Sequence, residues 1–208
     1  FIPWDDDIDI GMLRSDYDKF IEVCKNEIDP KKFFLQIPET DSKSADFEIA
    51  RLRLNNTKIV QEHRKNLKTH EGFFVEIFPY DSLPDSNFKA FFYSYYFKLL
   101  KRIVGIRMGY KYKLKNLFNR SIVYTIVFFS RLIPLSVLYK KVANYHLRYN
   151  KSDSKKVFLL GGAYDYKKET HARKTVNEYD YLEFEGKNYR VQKNYDLLSE
   201  WAANYVAK

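Results

Sequence analysis

Apolar and polar residues alternate through Asp7, Ile8, Asp9 and Ile10, the two-residue period of a half-buried strand. Gly11 is expected to end it. Tyr17, Phe20, Ile21 and Cys24 then fall at helical spacing. Ser15 can cap that helix, and Asp29-Pro30 stops it. Phe33 to Ile37 reads as a second strand and the polar residues 39–46 as a turn. Phe47 to Leu54 reads as a third strand, with Ala50, Leu52 and Leu54 on one face and Arg51 and Arg53 on the other. Residues 58–70 are polar and basic, the pattern of a loop. Phe73 to Phe78 is an apolar strand interrupted only by Glu76; Pro79 is expected to close it, with a turn from Asp81 to Asp85. From Asn87 to Asn150 the pattern is helical, and Gly105, Gly109 and Pro134 are expected to divide it into three helices. Val157 to Leu160 is a strand candidate. Tyr179 to Phe184 and Tyr189 to Val191 suit a hairpin around Gly186, and residues 195–206 suit a final helix.

The 208 residues suffice for one domain with a real core. Their 45% apolar and 18% aromatic content excludes a disordered chain. Cys24 is the single cysteine, so no intrachain disulfide framework exists. A formal charge of +9 favours anionic partners such as nucleotides, phosphoglycans, acidic lipid surfaces or nucleic acid. No uninterrupted apolar run reaches the roughly 18 residues of a membrane span. The sequence begins at Phe1, just ahead of its acidic cluster, which suggests that an N-terminal segment is missing.

That cluster holds the chemistry. Asp5, Asp6, Asp7 and Asp9 repel one another, and a strand would place Asp5, Asp7 and Asp9 on one face. A cation neutralises such a stack, and an all-oxygen ligand set suits Mg2+ or Mn2+. The competing reading is an acidic turn in water, which the flanking Ile8 and Ile10 weaken. Glu76, within an otherwise buried strand, either shares that metal with Asp7 and Asp9, pairs with Arg51 or Arg53, or faces water. Arg51 and Arg53 suit phosphate oxygens, solvent exposure or pairing with the acidic cluster. His70 reads as a loop residue or a general base.

Together these residues resemble the LicD-type phosphotransferase family, related to the fukutin group. The matching segments are Phe1-Ile-Pro-Trp-Asp-Asp-Asp-Ile-Asp-Ile10 with Asp16, Tyr17 and Phe20, then Arg51-Leu-Arg53 ahead of Asn56-Thr57. His70-Glu-Gly72 with Val75-Glu-Ile-Phe-Pro-Tyr-Asp81 follows, and Phe184-Glu-Gly186 with Asn194-Tyr195-Asp196 matches less closely. Many members have Asp where this chain has Glu76, and the family's C-terminal Tyr-Gly-Asp-Tyr pattern stands here as Ala202-Ala-Asn-Tyr205. The resemblance implies an α/β (α+β) fold with a polymerase-β-like nucleotidyltransferase core. Residues 1–208 would form one catalytic domain lacking its N-terminal segment, with a small mixed sheet, flanking helices and a helical insertion at about 87–150.

The same resemblance implies a metal-dependent transferase that moves phosphocholine, or a similar phospho-alcohol, from a CDP-linked donor to a glycan or lipid-linked glycan, releasing CMP. By it Asp7, Asp9 and Glu76 are metal ligands, Arg51 and Arg53 contact the donor, and Asp5 or Asp6 assists the metal or accepts a proton. The expected location is cytoplasmic or peripheral at the inner face of the membrane, with no nucleic-acid partner. The alternatives are nucleotidyl transfer with release of pyrophosphate, or a non-enzymatic basic module for membranes or nucleic acid. Residues 87–149 hold no Asp or Glu but thirteen Lys and Arg, and are expected either to lie on a membrane surface or to pack their apolar faces on the core.

Overall fold

The computed structural model describes residues 8–44, 46, 48–112, 117–160 and 166–193. Asp5, Asp6, Asp7, Gly161, Gly162 and the expected helix at 195–206 lie outside these residues. Strand β1 (Asp9–Leu13) leads into helix α1 (Arg14–Glu27), then β2 (Phe33–Gln36), β3 (Ala50–Leu54) and the ten-residue β4 (Phe74–Leu83). Three helices follow: α2 (Asn87–Met108), α3 (Leu117–Ser130) and α4 (Leu135–Tyr145). The chain then returns through β5 (Lys156–Leu159), β6 (Thr170–Ala172), the short α5 (Arg173–Asn177) and the hairpin β7 (Tyr179–Phe184) and β8 (Lys187–Gln192). The described elements are those of a mixed α+β fold, with the helices α2 to α4 inserted between two strands that pair directly.

The long β4 organises a six-stranded sheet. β1 runs parallel to it along one edge, with Asp9 beside Glu76 and Leu13 beside Tyr80. On the other edge β3 pairs with Phe74 to Ile77 and β5 with Tyr80 to Leu83, so these two strands lie end to end. β2 and β6 extend the sheet beyond them. Pro79 therefore sits inside β4 and does not close it. Glu76 donates its N–H to Ile8 on the β1 side, so by alternation the N–H missing at residue 79 would point to the other edge. There it falls in the interval between β3 and β5, where a ladder donor is not needed.

Two further expectations change at β1. Gly11 lies in the middle of the strand and not at its end. A Cβ there would stand 2.7 Å from the Tyr80 ring, so glycine lets that ring cross β1. Helix α1 starts at Arg14 with Leu13 at its N-cap position and no side-chain cap, so Ser15 is already helical. The Arg14 side chain is committed to Asp81, its Nε and Nη2 donating at 2.7 and 2.8 Å. Asp81 is thus a fully buried member of β4, and not the start of a turn.

Alternation along β4 sets the layers. Ile77, Asp81 and Leu83 face one side. Ile77 packs with Leu35 and Ala50 under Tyr17, Ile21 and Cys24 of α1. Leu83 and Phe158 enter a second core built from Phe97 and Val104 of α2, Val127 of α3 and Val142 of α4. Gly105 does not break α2; it gives room to the Tyr112 side chain. Gly109, at φ 105, ends that helix in the left-handed region. The opposite face of the sheet carries Glu76.

Candidate active site

The register places four polar side chains in one row across the sheet. Asp9 of β1 is abreast of Glu76 of β4, Glu76 of Arg51 in β3, and Arg51 of Gln36 in β2. Directly paired residues share a face, with neighbouring strands about 4.8 Å apart. Asp9 is exposed at the β1 edge, Glu76 is partly buried, and Arg51 and Gln36 are buried. Exposure thus falls steadily from an acidic rim to a cationic floor.

Arg51 links the row to a deeper ionic cluster. Its Nε donates to Glu76 Oε1 at 2.6 Å, and its Nη2 forms an ion pair with the same oxygen at 2.5 Å, so both contacts fall on Oε1 and neither on Oε2. Its Nη1 donates to Asp46, which also accepts from Arg64. Burial alone would raise the Asp46 pKa. The Arg51, Arg64 and Lys101 charges outweigh it and hold the carboxyl far below its ordinary range. Lys101 of α2 also pairs with the buried Glu48, which ties the helical layer to the segment before β3. Asp46 and Arg64 escape sequence reasoning: Asp46 sits in a polar stretch that reads as a turn, and Arg64 lies between His63 and Lys65 in what reads as a basic loop.

Arg53 has different surroundings. Only 1% of it is exposed; its Nε donates to Gln36 Oε1 at 2.7 Å and its Nη1 to the Gly72 carbonyl at 2.7 Å. Burial first, then the Arg51 and Arg64 cations, pull its pKa down to about 10. The Phe74 ring lies beneath both guanidiniums, 5.3 Å from Arg51 and 4.6 Å from Arg53. Of the readings the sequence left open for Glu76, pairing with Arg51 is the contact present. His70 is built into the neighbouring loop. It stacks on Phe34 at 4.9 Å, its Nδ1 accepts the Gly72 N–H, and its Nε2 lies 3.0 Å from Asn55 Oδ1. With Nδ1 accepting, Nε2 carries the proton and donates to Asn55, which gives His70 a structural task away from the carboxylate row.

Asp9 and Glu76 are hard oxygen donors of the kind that binds Mg2+ or Mn2+. Among the described residues no three His, Cys, Asp or Glu side chains converge as a metal site. Asp7, the third carboxylate of the expected set, lies outside those residues, as do Asp5 and Asp6.

Comparison with known proteins bears on what this face does. A family model described as LicD/FKTN/FKRP, nucleotidyltransferase domain, matches residues 1–104. The chain belongs to that family. Within this LicD family chain the match takes in β1 to β4, hence Asp9, Arg51 and Glu76, and ends inside α2. The lipopolysaccharide cholinephosphotransferase LicD of Haemophilus influenzae is 23% identical over 215 residues, covering 99% of this chain and 76% of that protein. No solved structure matches.

Proposed function

We propose that this chain transfers a phospho-alcohol group, phosphocholine or a close analogue, from a CDP-linked donor to a surface glycan or its lipid-linked precursor, with release of CMP. Membership of the LicD family and the similarity to a lipopolysaccharide cholinephosphotransferase support the reaction class. The observation that carries it to this site is the row Asp9–Glu76–Arg51, an acidic rim on a rigid sheet backed by a buried cation.

Asp9 and Glu76, together with Asp7, would hold Mg2+ or Mn2+. Bound there, the ion would neutralise the oxygens of the donor diphosphate. The chain's own residues do the rest. Arg51 fixes the Glu76 carboxylate from one side and offsets its charge. Asp46, itself held by Arg64, and the Phe74 ring fix Arg51 in turn, so the rim is pre-organised by side chains that cannot reorient cheaply. The acceptor hydroxyl attacks the donor β-phosphorus, the bond from that phosphorus to the bridging oxygen breaks, and CMP leaves with the bridging oxygen. Asp5 or Asp6 takes the hydroxyl proton. Arg51 and Arg53 supply positive potential beneath the donor phosphates. Direct contact with phosphate would require Arg51 to exchange Asp46 or Glu76, and Arg53 to exchange Gln36 or the Gly72 carbonyl.

The test incubates the protein with CDP-choline, CDP-ribitol or CDP-glycerol, Mg2+ and a glycan acceptor, and separately with CTP. CMP formation that needs both donor and acceptor, and disappears in Asp9→Asn, is the expected result. Pyrophosphate released from CTP, with no CMP from any CDP-linked donor, would replace this reading with nucleotidyl transfer.

A further inference from the structure

Helix α3 departs from the pattern of a surface helix. Val123 and Val127 turn inward to the helical core. The outward side carries Tyr124, Phe128 and Phe129, which are 47%, 64% and 61% exposed. No charge occurs from Ser121 to Ser130. The apolar surface continues through the bend, where Leu132 is 85% exposed, into α4, where Val137 is 53% exposed. A helix on a solvated surface normally presents charged residues there, and a contiguous apolar patch of this kind marks an interaction site.

Much of the α3 end of the bend is paired internally. The N–H groups of Arg131, Leu132 and Ile133 donate to the carbonyls of Phe128, Phe129 and Ser130. Arg107 of α2 reaches across and donates to the Ser130 and Ile133 carbonyls at 2.7 and 2.8 Å. Carbonyls that a helix end leaves without partners are thereby satisfied, a condition for entering a medium poor in water. The rim is cationic: Arg120, Arg131, Lys140 and Lys141 are exposed around the patch. Not one Asp or Glu lies between residues 87 and 149 to offset them. Apolar and aromatic side chains bordered by Lys and Arg match the boundary between acyl chains and anionic headgroups.

We propose that the α3–α4 bend is a docking surface for an anionic lipid bilayer, with Phe128, Phe129 and Leu132 seated at the acyl boundary and the basic rim among the headgroups. The element lies on the membrane and does not cross it. No single described helix is long and apolar enough to span. The chain bends by 116° between α3 and α4, and each helix commits one side to the protein core through Val123, Val127, Leu138 and Val142. The surface is remote from the carboxylate row in its chemistry, so its test does not depend on turnover.

The whole protein is floated with phosphatidylcholine vesicles, with and without phosphatidylglycerol, at low and high salt. Flotation is expected with phosphatidylglycerol and weakens as salt rises. The double variant Phe129→Glu with Leu132→Glu should lower vesicle partitioning about tenfold or more, since charge at this depth is costly. Its circular dichroism and Tm should match wild type, because both side chains are exposed. Leu132→Trp should show, against wild type, added emission that shifts blue with vesicles and is quenched by brominated lipid. Phe88→Glu, about 28 Å along α2 from the Arg107 that holds the bend, at ~1.5 Å per residue, should leave binding unchanged. Three results would overturn the proposal. One is a wild-type protein that does not float at low salt, as expected if its own residues 194–208 cover the patch. Another is flotation with an unshifted Leu132→Trp. The last is a dimer, dissociated by Leu132→Glu, that ignores vesicles.

Discussion

Arg51 carries the largest share of the site's order, because one planar group serves two carboxylates at fixed angles. Lysine keeps the charge but has no fork. Arg51→Lys should therefore lose stability of about 2–4 kcal/mol, a large part of the cost of breaking a buried pair. It should also reduce kcat more than donor KM, because the residue positions Glu76; urea melts and steady-state kinetics would read the two effects. The Arg51–Glu76 contact was legible in the sequence as one of three readings, since both residues lie in evident strands. Asp46 and Arg64 were not, because nothing local distinguishes a buried charge in a long connection from a solvated one. His146 is a second residue whose state depends on depth. Burial above all lowers its pKa to about 4 from an ordinary 6.5, and its Nδ1 has no hydrogen-bond partner. The folded protein thus binds fewer protons than the unfolded chain in this interval. Stability from the neutral ring is complete above pH 6.5 and lost as pH falls toward 4, by up to about 3 kcal/mol. His146→Leu should flatten that part of the stability–pH curve, measured by denaturant titration at stepped pH. An unchanged slope between those limits would show that His146 already titrates normally in the fold.

The elements were easier to locate than to bound. Periodicity marked β1, α1, β2, β3 and the three long helices, because each has an apolar side that must be covered. It misplaced the ends where a tertiary partner overrides a local signal. Gly11 and Pro79 read as terminators, yet the Tyr80 ring needs the first and the interval between β3 and β5 admits the second. Asp81 read as a turn residue, because its partner Arg14 is distant in sequence and adjacent only through the parallel pairing of β1 with β4. Gly72 shows the same dependence more sharply. A Cβ there would lie 2.2 Å from the Leu54 carbonyl, which is backbone and cannot rotate away. Leu54 donates its N–H to Phe73 at 2.8 Å, and Arg53 holds the Gly72 carbonyl, so the strand start is fixed from two sides. Gly72→Ala should therefore lower stability by about 1–3 kcal/mol or more, the usual cost of forcing volume into a packed site. Gly186→Ala, where nothing lies within 4 Å, is set by its positive φ of 71 alone and should cost less. Thermal melts of the two variants side by side would check the order; equal losses would mean that the loop around Gly72 shifts freely.

Among the described elements, α1 and the core of α2 to α4 pack on the Ile77 side of the sheet, and the other face carries the carboxylate row. The family match covers β1 to β4, the strands that build this row, and stops within α2, while the basic helices beyond it carry the apolar bend. Net charge of +9 therefore does not describe the site, where Asp9 and Glu76 meet at an acidic edge of a basic protein. That local imbalance yields a test of the proposed cation without any substrate. A ligand that binds only the folded state stabilises it by RT ln(1 + [L]/Kd), about 2.7 kcal/mol at a hundred times Kd. Mg2+ or Mn2+ should raise the Tm of the wild-type protein in a concentration-dependent way, and EDTA should reverse the rise. Asp9→Asn should abolish the rise while leaving the metal-free Tm unchanged or higher, since it removes one of two like charges on adjacent strands. Glu76→Gln should abolish it too, but with a lower metal-free Tm, because Arg51 then loses a charged partner within the buried cluster. The difference between the two metal-free shifts separates ligand loss from general damage. A metal-induced rise that survives both substitutions would move the cation away from this edge and leave Asp9 and Glu76 without the role proposed for them.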